Sequence, residues 1–171
     1  MSHLNIEFKA KTNDIKGLEN KLLSLSPLYI GEDNQKDSYY NVSVGRLKLR
    51  EGNIENALIW YNREDIGGAK QSDILLYKHS PDEALKKILL KLHGIKIIVD
   101  KTRKIYFINN VKFHFDNVKG LGTFIEVEAI DELGKIGVDK LKEQCNFYID
   151  FFKIATDDFM KKSYSDMLME K

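Results

Sequence analysis

Charged residues occupy alternate positions in several stretches of this chain that otherwise have the composition of β-strands. In N-I-E-F-K-A-K at residues 5–11, Ile6, Phe8 and Ala10 alternate with polar or charged residues. Successive side chains of a strand point to opposite faces, so such a strand has one apolar and one charged face. An antiparallel sheet that closes on itself encloses one of these faces. The pattern therefore predicts an α+β fold in which a closed antiparallel β-barrel with a polar lumen is flanked by helices.

Hydrophobic periodicity predicts the order of the elements along the chain. Strands are expected at 5–11, 39–44, 46–50, 57–63, 95–99, 103–108, 111–116 and 123–130. Helices are expected at 15–25, 80–94, 138–152 and 159–168. Asn109 and Asn110 have the composition of a tight hairpin turn between two of the strands. A length of 171 residues predicts a single domain spanning 1–171.

Composition and charge exclude several classes of function. The net charge is only +1 although 31% of the residues are charged, so the basic excess typical of a nucleic-acid-binding protein is missing. No run approaches the roughly 20 apolar residues that cross a bilayer, and residues 1–5 do not resemble a signal peptide. The single cysteine, Cys145, is expected to be a small core residue. These features predict a cytoplasmic globular protein with no nucleic-acid or membrane partner.

On two of the predicted strands, the charged face carries charges of one sign only. In G-R-L-K-L-R, Arg46, Lys48 and Arg50 share one face along about 13 Å of strand, and an anion with several oxygens would relieve their mutual repulsion. Other predicted strands or their ends carry further cations. With these the candidate phosphate-binding residues are Lys9, Lys11, Arg46, Lys48, Arg50, Arg63, Lys101, Arg103 and Lys112.

Two carboxylates lie side by side on another predicted strand. Glu126 and Glu128, in F-I-E-V-E-A-I, are two residues apart and therefore point to the same face. Glu7 and Asp116 are candidates to complete a metal site with them. Mg²⁺ and Mn²⁺ prefer oxygen ligands and are typically bound by one or two carboxylates together with substrate phosphates. The lumen is therefore predicted to hold a triphosphate and one of these two ions.

Each of these residues also has an ordinary structural interpretation. The cations of R-L-K-L-R would protect an exposed edge strand from aggregation, and Glu126 and Glu128 would suit a solvated sheet face. His114 is favoured as a hydrogen-bonding residue of the lumen over a general base. Tyr61 suits packing, with stacking on a nucleobase as the alternative.

Three segments resemble a known family in order and spacing. They are N-I-E-F-K-A-K, Q-K-D-S-Y-Y-N-V-S-V-G-R-L-K-L-R-E and F-H-F-D-N-V-K-G-L-G-T-F-I-E-V-E. Together they make the chain similar, nearly end to end, to the CYTH superfamily of triphosphate tunnel enzymes, which includes class IV adenylate cyclases, thiamine triphosphatases and inorganic tripolyphosphatases. The resemblance implies an eight-stranded tunnel with Glu7, Glu126 and Glu128 as metal ligands. It also implies phosphate-binding roles for Lys9, Arg46, Lys48, Arg50, Arg63 and Arg103.

One position departs from the family signature Glu-x-Glu-x-Lys, because its first acidic residue is replaced here by Asn5. An asparagine can bind a metal through its amide oxygen but removes a formal charge, which leaves the number of metal ions, one or two, open. Sequences opening N-I-E-x-K resemble a branch often labelled cyclase-like.

Three functions remain compatible with the sequence. In the first, class IV adenylate cyclase-like, the ribose 3′-hydroxyl of ATP attacks the α-phosphorus and pyrophosphate leaves; Tyr39, Tyr40 and Tyr61, as supports for the base, favour it. In the second, water attacks the terminal phosphorus of tripolyphosphate, thiamine triphosphate or a nucleoside triphosphate. In the third, the chain binds a triphosphate or a nucleotide without turnover. No side chain is assigned to the catalytic step itself, and the sequence is compatible with a homodimer.

Overall fold

A closed barrel of antiparallel strands is formed by the residues that the computed structural model describes, 2–63 and 69–171, with side chains described at 4–62, 69 and 72–171. The eight strands of these ranges are β1 (Ser2–Lys11), β2 (Leu28–Tyr40), β3 (Arg46–Glu51), β4 (Ala57–Arg63), β5 (Lys70–Lys78), β6 (Ile95–Ile108), β7 (Val111–Val118) and β8 (Gly122–Asp131). Their order around the barrel is β1-β5-β4-β3-β2-β6-β7-β8, and pairing of β1 with β8 closes it. The predicted fold class is confirmed.

Helices cover the outside of the barrel. They are α1 (Ile15–Leu23), α2 (Glu83–His93), α3 (Val138–Phe152) and α4 (Tyr164–Met169), with one turn of 3₁₀-helix at Thr156–Asp158. Over the described residues, no helix has the length and apolar character needed to span a membrane.

The main apolar core lies between the barrel wall and the helices. Ile6 and Phe8 on the outer face of β1 are fully buried with Cys145, Tyr148 and other residues of α3. The Cys145 thiol lies 3.1 Å from the carbonyl oxygen of Ile6. Burial raises the pKa of this thiol to about 12, as expected for an inert core residue. Because the wall packs outward, the lumen is free to be polar.

The expected strands differ from the structure in three places. The strand expected at 39–44 ends at Tyr40, and its body is Leu28–Tyr40. The two strands expected at 95–99 and 103–108 are one continuous strand, Ile95–Ile108. Strand Lys70–Lys78 was not expected at all.

The wrong assignments share a physical cause in β2 and β6. Both strands contain polar runs, G-E-D-N-Q-K-D and D-K-T-R-K, which are typical of loops. In the barrel, Asp37 of β2 and Lys101 and Arg103 of β6 are buried, and each pairs with an opposite charge on another strand, while buried Asp33 accepts hydrogen bonds from the β3–β4 turn. Burial of paired charges inside the barrel makes these polar runs stable as strands. The hairpin turn at Asn109 and Asn110 is confirmed, with Asn109 at φ 52°.

Candidate active site in the barrel lumen

The lumen forms a cavity of about 600 Å³. Its lining includes Glu7, Lys9, Asp37, Lys48, Arg50, Glu55, Lys101, Arg103, Lys112, His114, Glu126 and Glu128. Most of the residues proposed from the sequence therefore line one space, although they come from five different strands, β1, β3, β6, β7 and β8. The barrel order separates them into a mainly basic wall, a mainly acidic wall and an apolar wall.

The basic wall is formed by the adjacent strands β3, β2 and β6 around one carboxylate. Asp37 accepts hydrogen bonds from Arg50 through both oxygens at 2.8 Å, from Lys101 at 2.8 Å and from Lys48 at 3.0 Å. Burial raises the pKa of Asp37, but these three cations more than offset it and hold the pKa well below its usual range. One anion thus faces three cations, which leaves this wall with a positive excess suited to phosphate oxygens.

Lys101 is the most strongly desolvated of these cations. Its side chain is 1% exposed, and burial, followed by the positive charges of Arg50, Arg103 and Lys48, lowers its pKa to about 7 despite the contact with Asp37. Additional anionic oxygens close to an amine in this position raise its pKa. A bound polyphosphate would supply such oxygens.

Arg103 joins the basic wall to the acidic wall. Its guanidinium donates to both oxygens of Asp116, at 2.6 and 2.5 Å, and to Glu126 at 2.6 Å. Asp116 also accepts from the Tyr164 hydroxyl at 2.7 Å. Its carboxylate is therefore fully engaged in holding Arg103 and Tyr164.

The acidic wall is formed by the adjacent strands β7, β8 and β1. Ligand atoms of His114, Glu126 and Glu128 all lie within 4.8 Å of one another. Glu7 is the register partner of Glu128 across the β1–β8 seam and lines the same cavity. Burial, followed by the negative charges of Glu126 and Glu7, raises the pKa of Glu128 to about 7. A divalent cation would relieve this repulsion.

His114 has the chemistry of a metal ligand in this cluster. Neither ring nitrogen has a hydrogen-bond partner among the described residues, although Nδ1 lies 3.4 Å from Glu126 and 3.6 Å from Glu128. Burial, followed by the positive charges of Arg103 and Lys112, lowers its pKa to about 3, so the ring is neutral at pH 7. A neutral imidazole retains a lone pair for coordination. The neighbouring carboxylates are the oxygen ligands that Mn²⁺ and Mg²⁺ prefer, whereas an imidazole is more typical of Zn²⁺, Cu²⁺, Fe²⁺ or Ni²⁺.

Sequence reasoning placed His114 on the lumen face and favoured a hydrogen-bonding role; with Nδ1 3.4 Å from Glu126, that role stays a prediction. The signal available in the sequence was its period-2 relation to Lys112 and Asp116 in K-F-H-F-D. Its proximity to Glu126 depends on the β7–β8 register, in which the two residues are partners. That register could not be derived from either strand alone.

The third wall, from β4 and β5, is mainly apolar, with Ser72 and Lys78 as its polar lining residues. Ala57, Ile59, Ile74 and Leu76 line the cavity there, and Tyr61 follows them along β4. The Lys48 ammonium lies 5.6 Å from the centre of the Tyr61 ring. The lumen is thus less uniformly polar than the sequence predicted, and it offers a surface for an uncharged organic group beside the cations.

The two ends of the lumen are occupied by other elements. At the end where β3 begins, Tyr164 of α4 enters the cavity, and the Lys9 ammonium lies 3.9 Å from the centre of its ring. Asp166 of the same helix bonds Arg46 at 2.8 Å. At the other end, the β3–β4 turn at 52–56 places Glu55 against Arg50 and Lys112. The row Arg46, Lys48 and Arg50 therefore runs between these two ends.

Some predicted site residues lie apart from this arrangement. Lys11 is exposed at the end of β1 and does not line the cavity, and Arg46 lies at the α4 end. The Arg63 side chain lies outside the described residues. Asn5 is completely buried, with no hydrogen bond to its side-chain amide from the described part of the chain. Roles in phosphate or metal binding for these residues stay predictions.

Comparisons with known proteins agree with this geometry. The model of the CYTH domain family matches residues 3–158. A Methanocaldococcus jannaschii protein, provisionally named an adenylate cyclase, is 26% identical over 176 residues, which cover 96% of this chain and 98% of the relative.

Solved structures share the fold. A Pyrococcus horikoshii protein superposes with a TM-score of 0.79 and 22% identity over 95% of this chain and 98% of its own. A Hippeastrum protein, whose name pairs a provisional adenylyl cyclase assignment with a dominant triphosphatase activity, gives a TM-score of 0.63 and 12% identity over 98% of this chain and 94% of its own. The match of the family model over most of the chain is decisive, and this protein belongs to the CYTH domain family.

Proposed function

We propose that this protein is a metal-dependent enzyme that acts on an organic triphosphate, with conversion of ATP to cyclic AMP and pyrophosphate as its first candidate reaction. The observation that carries the proposal is the division of one cavity into a cationic wall around Asp37 and an acidic wall around Glu128. Phosphoryl transfer needs such a division, because cations hold the phosphate oxygens while carboxylates hold a metal ion.

Each wall has a distinct role in this proposal. Glu7, His114, Glu126 and Glu128 would hold Mg²⁺ or Mn²⁺, which when bound neutralises charge that develops on the phosphate oxygens. Six of the cations that line the lumen are assigned to binding and orienting the triphosphate: Lys9, Lys48, Arg50, Lys101, Arg103 and Lys112. Asp116 has both oxygens engaged by Arg103 and Tyr164 and is therefore assigned to positioning Arg103.

The apolar wall favours an organic triphosphate over an inorganic one. Ile59, Ile74 and Leu76 offer no hydrogen bond to a phosphate, but they can contact a ribose or a base. Tyr61 is placed to stack on a base beside the Lys48 ammonium. Cyclisation requires the 3′-hydroxyl to be held close to the α-phosphorus of the same nucleotide, and a nucleoside on the apolar wall with its triphosphate on the cationic wall would be restrained at both ends.

Hydrolysis of a triphosphate is the second candidate. It needs the same metal and the same cations, but the reacting phosphorus is the terminal one and the nucleophile is water. The observation that favours it is the triphosphatase activity named for the Hippeastrum protein of the same fold. A role as a binding module without turnover would leave both reactions undetected.

Product analysis separates these alternatives. The purified protein is incubated with ATP, thiamine triphosphate or inorganic tripolyphosphate, with Mg²⁺ or Mn²⁺, and the products are separated by chromatography. We expect cyclic AMP and pyrophosphate from ATP. Released orthophosphate would identify a triphosphatase, whereas binding without products would identify a binding module.

Two variants link activity to the acidic wall. Glu128→Gln is expected to lower metal-dependent turnover by about a hundredfold or more, because a neutral amide replaces a metal-binding carboxylate. Glu143→Gln is the matched control, since Glu143 is 68% exposed on the outer helix α3. Equal activity of the two variants would contradict the metal assignment.

A further inference from the structure

One carboxylate of the lumen comes from a turn rather than from a strand. Glu55 accepts hydrogen bonds from Arg50 Nη1 at 3.0 Å, from Gln35 Nε2 at 3.1 Å and from the Lys112 ammonium. It thereby joins a cation of β3 to a cation of β7 across the cavity. Burial raises the pKa of Glu55, but Lys112 and Arg50 more than offset it, so the group is a permanent anion. Its carboxylate therefore occupies a position between two cations that suits a phosphoryl group equally well.

The turn holds Glu55 in this position by its own set of hydrogen bonds. The backbone N–H groups of Ile54 and Glu55 both donate to Asp33 at 2.9 Å, and Asp33 is fully buried. Asn56 closes the turn through reciprocal hydrogen bonds with Gly52 at 3.1 and 2.9 Å. A Cβ at Gly52 would lie 2.5 Å from an oxygen of Asp33, so any other residue here would displace the carboxylate that holds the turn. Glu55 is thus presented by a fixed turn.

Glu55 lies where it would obstruct one end of a linear anion bound along the cations of β3. The cations of β3 run from Arg46, beside α4, to Arg50, beside the turn. A polyphosphate lying along this row meets the Glu55 carboxylate where it reaches Arg50 and Lys112. Each further phosphoryl group at that end must displace Glu55 or lie against its negative charge.

We propose that Glu55 is a specificity-determining residue that takes the place of a terminal phosphoryl group between Arg50 and Lys112 and so limits the length of the polyphosphate chain that the tunnel binds. This inference rests on the proposed function, because it assumes that the cationic wall binds a polyphosphate. The Glu55 carboxylate would compete with a bound polyphosphate for Arg50 and Lys112. Removal of its negative charge should therefore strengthen the binding of long polyphosphates more than that of short ones.

Calorimetric titration of the intact protein with inorganic pyrophosphate, tripolyphosphate and tetrapolyphosphate tests the proposal. Glu55→Gln is expected to bind tripolyphosphate about tenfold more tightly than the wild type, because the Glu55 carboxylate no longer competes with the ligand for charge-assisted hydrogen bonds from Arg50 and Lys112. The gain should be largest for tetrapolyphosphate and smallest for pyrophosphate. Glu132→Gln is the matched control, because Glu132 lines the same cavity from an exposed position and the substitution removes the same formal charge.

A second measurement covers the case in which Glu55→Gln is poorly folded. Without an anion, this variant should have a lower Tm than the wild type, because Arg50 and Lys112 lose a partner, and tripolyphosphate should raise its Tm by more than it raises that of the wild type. Glu55→Ala should behave in the same way.

The outcomes separate this inference from the proposed function. Binding of tripolyphosphate by the wild type, with equal or weaker binding by Glu55→Gln, would overturn the role of Glu55 alone. Equal gains for all three chain lengths, or equal gains for Glu132→Gln, would also overturn it. Failure of every protein to bind any polyphosphate would overturn both.

Discussion

The carboxyl group of Glu128 has its pKa raised to about 7, first by burial and then by the negative charges of Glu126 and Glu7. The cations that face it, Lys112 and Arg103, only partly oppose this shift. A metal ligand must be deprotonated, so the proton on Glu128 competes with the metal. This single group makes the acidic wall sensitive to pH in the neutral range.

We therefore expect the affinity for Mn²⁺ to fall as the pH is lowered through about 7, by about tenfold for each pH unit below it. Without metal the sign is reversed for stability: a raised folded-state pKa stabilises the fold at low pH, and this contribution is lost as the pH rises through about 7. Titrations of Mn²⁺ at pH 6 and pH 8 check the first effect, and urea unfolding checks the second. Glu128→Gln should remove both, and a pH-independent affinity in the wild type would contradict the assignment.

The Arg50 guanidinium donates hydrogen bonds to both Asp37 and Glu55. Arg50→Ala is expected to weaken binding of a triphosphate by about 1.5 to 3 kcal/mol, because one charge-assisted contact is lost. Lys104→Ala is the control, since Lys104 lies on the outer side of β6 and bonds Glu19 of α1. Isothermal titration with tripolyphosphate measures both variants, and unchanged affinity in Arg50→Ala would place the ligand elsewhere.

At the scale of elements, the apolar side chains of β4 and β5 are the part of the lumen proposed to favour an organic triphosphate. Ile59→Ala removes apolar contact surface from their wall without changing any charge of the lumen. We expect kcat/KM for ATP to fall about tenfold or more and kcat/KM for tripolyphosphate to change little. Leu58→Ala, on the opposite face of the same strand, is the control for lost stability. Equal losses for both substrates would exclude contact between this wall and a nucleoside.

The alternating charges made much of this site predictable from the sequence. The rows Arg46, Lys48, Arg50 and Glu126, Glu128 follow from a period of two, and the barrel follows from the need to enclose them. The counter-charges were not predictable, because Asp37 lies in a polar run that is typical of a loop and Glu55 lies in a turn. Their partners are fixed by pairing between distant strands, which a single sequence does not specify.

For the whole molecule, the main apolar core and the charged part of the lumen lie on opposite sides of one wall. Outward residues such as Phe8 and Phe113 pack in the core with α3, whereas inward residues form the charged lumen and a smaller apolar cluster. Substitutions inside the lumen therefore leave the main apolar core intact.

Pairing of β1 with β8 is also expected to set when, during folding, the candidate metal site forms. It joins the two strands that are most distant in sequence, so its formation carries the largest entropic cost of chain closure. The same seam brings Glu7 to Glu128. In refolding experiments we expect fluorescence of Trp60, on β4, to reach its native value before the chain gains the ability to bind Mn²⁺. Simultaneous recovery of the two signals would contradict ring closure as a separate last step. If Trp60 recovers first, the gain of Mn²⁺ binding reports when the barrel has closed.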